Sequence, residues 1–409
     1  MGMVTHLKTG VLRVALTVLL VAGALAAARA QMAENSAGGP LPYELIRTLQ
    51  SLQEQVAQGN SHATIAQRTL LTEMDVSFVN MPAEVWQDPR NARAAVIHLL
   101  SGGHPRVMRY LLTVEPQPLI DRNLMEASLA YIEGREEDMQ GLLKDIDPLD
   151  LPAGLGGHVA LVKAAPYIRT DPAKAMELLQ VASLLMPGTL VEEAALRREV
   201  FVAGMMGDVE RFRVLSIRYL RRFSKSVYAG DFRRRFALAI DTLGFVKNED
   251  KFALLVPVLH EFDADSRRGL YMRLARSALL AGHLNVARKS TDEALVLAVD
   301  GTKESEILKI YAAATRLDPE MIQVNRDLLW SIDKNMLSED DLALLDGVYT
   351  VLNSIRHFPE PPPNVIGEFN VASNIADPED RTWLTKDMEL AEWLLRRTEK
   401  SLALFGEDQ

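Results

Sequence analysis

Catalysis by this chain would have to rest on histidine, carboxylate, hydroxyl or amine chemistry, because its 409 residues include no cysteine. A thiol nucleophile, a redox pair and a thiolate metal site are thereby excluded. Of its eight histidines, those beyond His6 are His62, His98, His104, His158, His260, His283 and His357. No two of them have the spacing that brings imidazoles onto one metal, so they read as surface or helix-cap side chains. Acids occur in runs, as at Glu136-Glu137-Asp138 and Glu339-Asp340-Asp341. A wall-cleaving glycosidase needs two carboxylates in a cleft, one with a raised pKa, and sequence leaves that open. Acids clustered in this way are equally accounted for by the positive N-terminal ends of helices. The chain has no glycine-rich phosphate loop, G-x-S-x-G elbow, H-E-x-x-H or calcium loop. No catalytic, cofactor-binding or metal-ligating residue is assigned, no cofactor is expected, and the chain is expected not to be an enzyme.

The residues best suited to binding lie between Arg211 and Phe236. Arg211, Arg213, Arg218, Arg221, Arg222, Lys225, Arg233, Arg234 and Arg235 face a single acid in this stretch, Asp231. Phe212, Leu215, Tyr219 and Phe223 recur at helical spacing, which turns most of the arginines onto the other faces. Two readings stand. The arginines coat a solvated helix and pair with acids of the neighbouring repeat, or they form a docking surface for an acidic partner or cell-wall polymer. Arginine and aromatic residues are favoured at interface hot spots. On the second reading the partner-binding residues are Arg211, Arg218, Tyr219, Arg221, Arg222, Lys225, Arg233, Arg234 and Arg235.

Almost every segment that could position these residues carries helical periodicity, and no run alternates as a strand would. Leu45, Leu49, Leu52 and Val56 mark a helix over 42–60, and further helices are expected over 62–79, 83–101 and 104–114. From about residue 119 the pattern repeats. Tyr271, Leu274, Ala275 and Ala278, a turn at Gly282, then Ala287 and Ala294 match a tetratricopeptide-like hairpin of about 34 residues. Ala175, Ala182 and Pro187, and Ala127 and Ala130 before Gly134, fit further units. Turns near 134, 170, 207, 247 and 282 are roughly 35 to 40 apart, as helical-hairpin repeats require. The expected fold is an all-α, tetratricopeptide-like α-solenoid of stacked hairpins; the alternative is an irregular helical bundle. A last helical pair is expected over 303–356. Pro359, Pro361, Pro362 and Pro363 then enforce an extended linker. A final helix after Asp377 either caps the array or docks on a partner.

The first residues read as a secretory signal. Lys8 and Arg13 precede an apolar run from Val14 to Leu25, and Ala28-Arg29-Ala30 fits an A-x-A cleavage site. The division is therefore 1–30 signal peptide, 31–118 N-terminal helical region, 119–357 repeat region, 358–378 proline-rich linker and 379–409 C-terminal helix. Cleavage would leave a chain that does not span the membrane and resides in the periplasm. The formal net charge is −10, and loss of Lys8, Arg13 and Arg29 takes it to about −13, which opposes general nucleic-acid binding.

Four strings, Leu41 to Gln50, Asp147 to His158, Pro187 to Arg198 and Arg218 to Tyr228, resemble the MotC family of periplasmic motility proteins. The resemblance extends over about 41–355 and is weakest in the linker and the final helix. It implies an exported protein needed for flagellar rotation that associates with the periplasmic part of the stator protein MotB, close to peptidoglycan. It carries over no site residues. The rival readings are a general envelope assembly factor on the same fold and, less favoured, a peptidoglycan-modifying enzyme.

Overall fold

The computed structural model describes residues 39–356, and the signal peptide, the proline-rich linker and the C-terminal helix expected above lie outside them. Every element is helical. In order they are α1 (Pro42–Ala57), α2 (Ser61–Val79), α3 (Pro89–Leu100), α4 (Pro105–Leu111), α5 (Arg122–Ile132), α6 (Glu136–Leu142), α7 (Ala153–Ala164), α8 (Tyr167–Thr170) and α9 (Pro172–Leu185). They continue with α10 (Leu190–Met205), α11 (Val209–Phe223), α12 (Ala229–Leu243), α13 (Glu249–Leu259), α14 (Ala264–Leu280), α15 (Leu284–Val296), α16 (Lys303–Thr315), α17 (Ile322–Trp330) and α18 (Glu339–Arg356). The described residues from 39 to 352 belong to one compact unit, and only the end of α18 is described in the second. Among the described residues no helix is long and apolar enough to cross a membrane.

Local chemistry sets these boundaries. Proline opens α1, α3, α4 and α9, where its missing N–H costs nothing. Side chains of Asn60, Asp171, Thr189, Asp208 and Asn248 accept first-turn N–H groups of the helices that follow. The acidic runs Glu136-Glu137-Asp138 and Glu339-Asp340-Asp341 occupy the first turns of α6 and α18.

Three hairpin turns share one construction. Gly134, Gly207 and Gly282 have φ of 74°, 71° and 77°. The N–H of the next residue reaches back to the carbonyl of a buried alanine, Ala130, Ala203 or Ala278. This is a Schellman C-cap, which needs a left-handed residue that glycine supplies without a Cβ penalty. The other two expected turns are also present: Asp171 caps α9, and a 3-10 turn from Phe245 to Lys247 separates α12 from α13.

Helices pack on their chain neighbours and on the corresponding helix of the next hairpin. First helices meet in the pairs α3–α5, α10–α12 and α14–α16, and second helices in α11–α13 and α13–α15. The result is a helical-hairpin solenoid. Its core has two clusters, one spanning Leu45 to Val162 and the other running from Ala160 to Leu352 with Ala57 added. Helix α7 is the seam, giving Leu155, Val159 and Val162 to the first and Ala160 and Ala164 to the second. The first cluster holds both Val114 and Leu124, so packing is continuous across 118–119.

Two expected elements are subdivided. The helix over 83–101 is a 3-10 turn, Ala83–Gln87, and then α3, because Asp88-Pro89 starts a new helix. The expected pair over 303–356 is three helices, α16, α17 and α18. The first ends at Thr315, Pro319 opens a separate 3-10 turn, and buried Asn325 donates to the Arg316 carbonyl and anchors α17.

Two histidines expected at surfaces or caps belong to the core instead. The His98 ring packs 5.0 Å from that of Phe78 and its Nε2 lies 3.2 Å from Asp75. His158 pairs Nδ1 with the Gly154 carbonyl at 2.8 Å. Burial pushes both imidazoles below their usual pKa, so they are held neutral. His104 does cap a helix, accepting the Arg106 N–H at the start of α4.

Candidate functional site

The basic stretch spans α11 and α12, the second helix of one hairpin and the first of the next, and its apolar stripe is buried as the spacing requires. Phe212, Leu215, Tyr219 and Phe223 face inward on α11, and Phe232, Phe236 and Ile240 face inward on α12. The rings of Tyr219 and Phe232 stack at 3.9 Å with a 14° interplanar angle, and those of Phe212 and Phe236 at 5.2 Å. Stacked aromatics of this kind add to the area they bury, so the two helices are fixed to each other by ring contacts on their inner side.

Most of the stretch's outer charges are held by acids, and the central acids come from α10. The Glu192 carboxylate has no exposed surface. It receives Arg218 Nη2 at 2.7 Å on Oε1 and Arg222 Nη2 at 2.8 Å on Oε2. The Gly188 N–H donates to Oε2 as well, at 2.6 Å. The next residue, Glu193, is equally buried and accepts Arg197 at 3.1 Å and the Tyr219 hydroxyl at 2.7 Å. From Arg197 the network runs to Asp231 at 2.8 Å, and Asp231 in turn holds Arg235 at 2.9 Å and Arg234 at 3.2 Å. Burial would raise the Asp231 carboxyl, but Arg235 and Arg197 outweigh it and hold the pKa low. Burial and the bond to Glu193 together push the Tyr219 phenol far above its ordinary pKa.

A third α10 acid, Glu199, is buried against the Ser183 hydroxyl at 2.7 Å. Burial raises its pKa, the Ser183 bond and Arg218 oppose that shift, and Glu192 adds to it.

The nine residues singled out from sequence therefore occupy different positions. Tyr219 lies inside the core and positions Glu193. Arg218 and Arg222 close over Glu192, and Arg234 and Arg235 converge on Asp231. Arg211 leans on Asp208 at 3.5 Å, and Arg221 reaches across to Glu261 at 2.5 Å. Lys225 and Arg233 are exposed and have no ion pair among the described residues. These two flank a cleft of about 290 Å³ whose apolar lining includes Phe232 and Phe262. Asp263 and Glu261 also line it. Glu261 is bound to Arg221, and Asp263 caps α14 through the Ser266 N–H.

Sequence reasoning missed Glu192, Glu193 and Glu199: the first two sit in the first turn of α10, where acids look like ordinary N-terminal charges, and Glu199 lies mid-helix beside Arg197 and Arg198. The one available signal was their position: Glu192 falls three residues after the capping Thr189, and all three lie among residues of the buried face. Among the described residues, no three of histidine, aspartate or glutamate come together in a way that could hold a metal ion.

A family model described as chemotaxis protein MotC matches residues 3–406 of the chain. The chemotaxis protein MotC of Rhizobium meliloti (strain 1021) is 29% identical over 344 residues, covering 83% of this chain and 78% of that protein. No solved structure matches the chain. With a match over nearly its whole length and an all-helical fold, the chain belongs to the MotC family of chemotaxis and motility proteins.

Proposed function

We propose that this chain is a periplasmic motility protein required for flagellar rotation, one that binds the periplasmic part of the stator protein MotB. It supports the folding, placement or activation of that partner, needs no cofactor, carries out no chemistry of its own, and works close to peptidoglycan. The observation that carries the reading is the cleft beside Phe232 and Phe262. It combines an apolar lining with two exposed cations, Lys225 and Arg233, that form no ion pair among the described residues, although Arg233 lies close enough to Asp263 to lower its pKa. Stacked hairpins offer extended surfaces for holding another chain. Preferential binding to one conformation of the partner would shift its population by the difference in affinity.

The network around Glu192 dictates how to test this. Reversing Arg218 or Arg222 would set a glutamate against a buried carboxylate and damage the fold. Reversing Lys225 and Arg233 disturbs no ion pair. The test is a pull-down from periplasm and solubilised membranes with residues 31–409 as bait, in wild-type and Lys225→Glu/Arg233→Glu forms. Capture of MotB by the first bait and its loss with the second is the expected result. Equal capture by both refutes the cleft as the contact. Capture of other envelope proteins with MotB absent after crosslinking refutes the motor assignment and favours a general assembly factor.

A further inference from the structure

A second cleft, sharing no lining residue with the first, opens where α8 and the residues that lead into it meet α10 and α12. Its volume is about 560 Å³, within the range of ligand-binding clefts. Four guanidinium groups line it: Arg169 on α8, Arg197 and Arg198 on α10, and Arg235 on α12. They are not equally committed. Arg197 is held by Glu193 and Asp231. Arg235 binds Asp231 through Nε and lies over the Phe201 ring, 5.7 Å from its centre. Arg198 makes one hydrogen bond, from Nη1 to the Ala194 carbonyl at 3.3 Å, and has no carboxylate partner among the described residues. Arg169 is exposed and forms no ion pair among them. Burial lowers the Arg198 pKa, and the neighbouring charges of Arg197 and Arg235 add to that effect, against Tyr131 and Glu193. A partly buried guanidinium with most of its five N–H donors unspent lacks an anion.

We infer that this cleft is a binding site for an acidic peptide segment, with a carboxylate seated between Arg198 and Arg169 and an apolar neighbour packed on Ile168 and Phe201. Three features select that occupant. The planar fork of arginine matches a carboxylate in bidentate fashion. Ile168 and Phe201 supply apolar wall that a bare ion would leave unused. Glu136, which also lines the cleft, and the overall charge of −10 both repel a polyanion more than a single carboxylate flanked by apolar groups.

The test is fluorescence anisotropy of a fluorescein-labelled hexapeptide alternating glutamate with leucine, titrated with the protein at low and high salt. Saturable, salt-sensitive binding is expected, with no binding of the counterpart carrying glutamine for glutamate. Arg198→Gln and Arg169→Gln should each weaken binding by about tenfold or more, while Arg198→Lys, which keeps the charge and loses the fork, should fall between. Arg169 is exposed and unpaired, so its variant decides the matter even where Arg198→Gln impairs folding. Equal affinity of wild type and Arg169→Gln overturns the inference, and so does absence of binding. Displacement of the peptide by inorganic phosphate at comparable concentration also overturns it, by making the cleft a small-anion site. The pull-down of the preceding section reads Lys225 and Arg233, so the two proposals fail independently.

Discussion

Removing Arg218 and Arg222 together should destabilise the protein more than removing the carboxylate they share. The two arginines are 42% and 43% exposed, whereas Glu192 is 0% exposed. Deleting the carboxylate as Glu192→Gln leaves two guanidiniums that water can solvate and an amide that still accepts the Gly188 N–H. The cost should lie at the low end for hydrogen bonds to charged groups, about 1.5 kcal/mol, because both guanidiniums regain water. Deleting both arginines leaves a carboxylate with no counter-ion in a dry site, where breaking a buried pair costs about 3–5 kcal/mol. The open side of the site screens part of this, so about 3 kcal/mol is expected. The two losses must not add. In Arg218→Gln/Arg222→Gln the further change Glu192→Gln should restore about 2 kcal/mol, because it removes the stranded charge. Urea and thermal unfolding followed by far-ultraviolet circular dichroism measure this cycle. At about 2 °C per kcal/mol for a chain of this size, the double variant melts about 6 °C low and the triple variant recovers most of that. Additive losses, or a triple variant less stable than the double, would refute the view that Glu192 is the member that cannot be left alone.

Gly59 has φ of 91°, and a Cβ there would lie 2.2 Å from the Lys225 carbonyl oxygen. Gly59→Ala should therefore cost more than the ~1–2 kcal/mol of a left-handed alanine. Gly134→Ala, at φ 74° in open space, should cost about that alone, and equal melting temperatures for the two would refute the steric part. Tyr219→Phe keeps the stack on Phe232 but takes a donor from buried Glu193, so a loss of about 1–3 kcal/mol is expected, read by urea midpoint; no change would show that Arg197 suffices. Because burial holds His98 and His158 below their usual 6.5, the unfolded chain takes up protons that the fold refuses as pH drops. Their stabilisation is complete above pH 6.5 and is lost as the pH falls through the depressed values, at up to about 1.4 kcal/mol per pH unit for each group. Melting temperatures between pH 8 and 5 should show that fall, with a smaller slope in His158→Gln; an unchanged slope would exclude His158 as a source.

Much of the architecture was legible in the sequence, because a helix is specified within a few residues of itself. Apolar spacing, capping side chains and the turns at Gly134, Gly207 and Gly282 all act over one helical turn, and the resulting elements stand where those signals put them. Boundaries blurred where a local breaker was overlooked, as at Asp88-Pro89 and Pro319. The burial of Tyr271, Leu274, Ala275 and Ala278 followed from the same periodicity. The fate of the arginines did not. Arg218 meets Glu192 26 residues away, Arg197 meets Asp231 34 away, and Arg221 meets Glu261 40 away. Such partners are chosen by how one hairpin lies on the next, which no local pattern encodes. A run of positive charge therefore looked uniform along the chain and resolved, once folded, into paired arginines, a buried tyrosine and the unpaired cations Lys225 and Arg233. Charge pairs over distance, and distance between residues remote in sequence is a property of the packed hairpins alone.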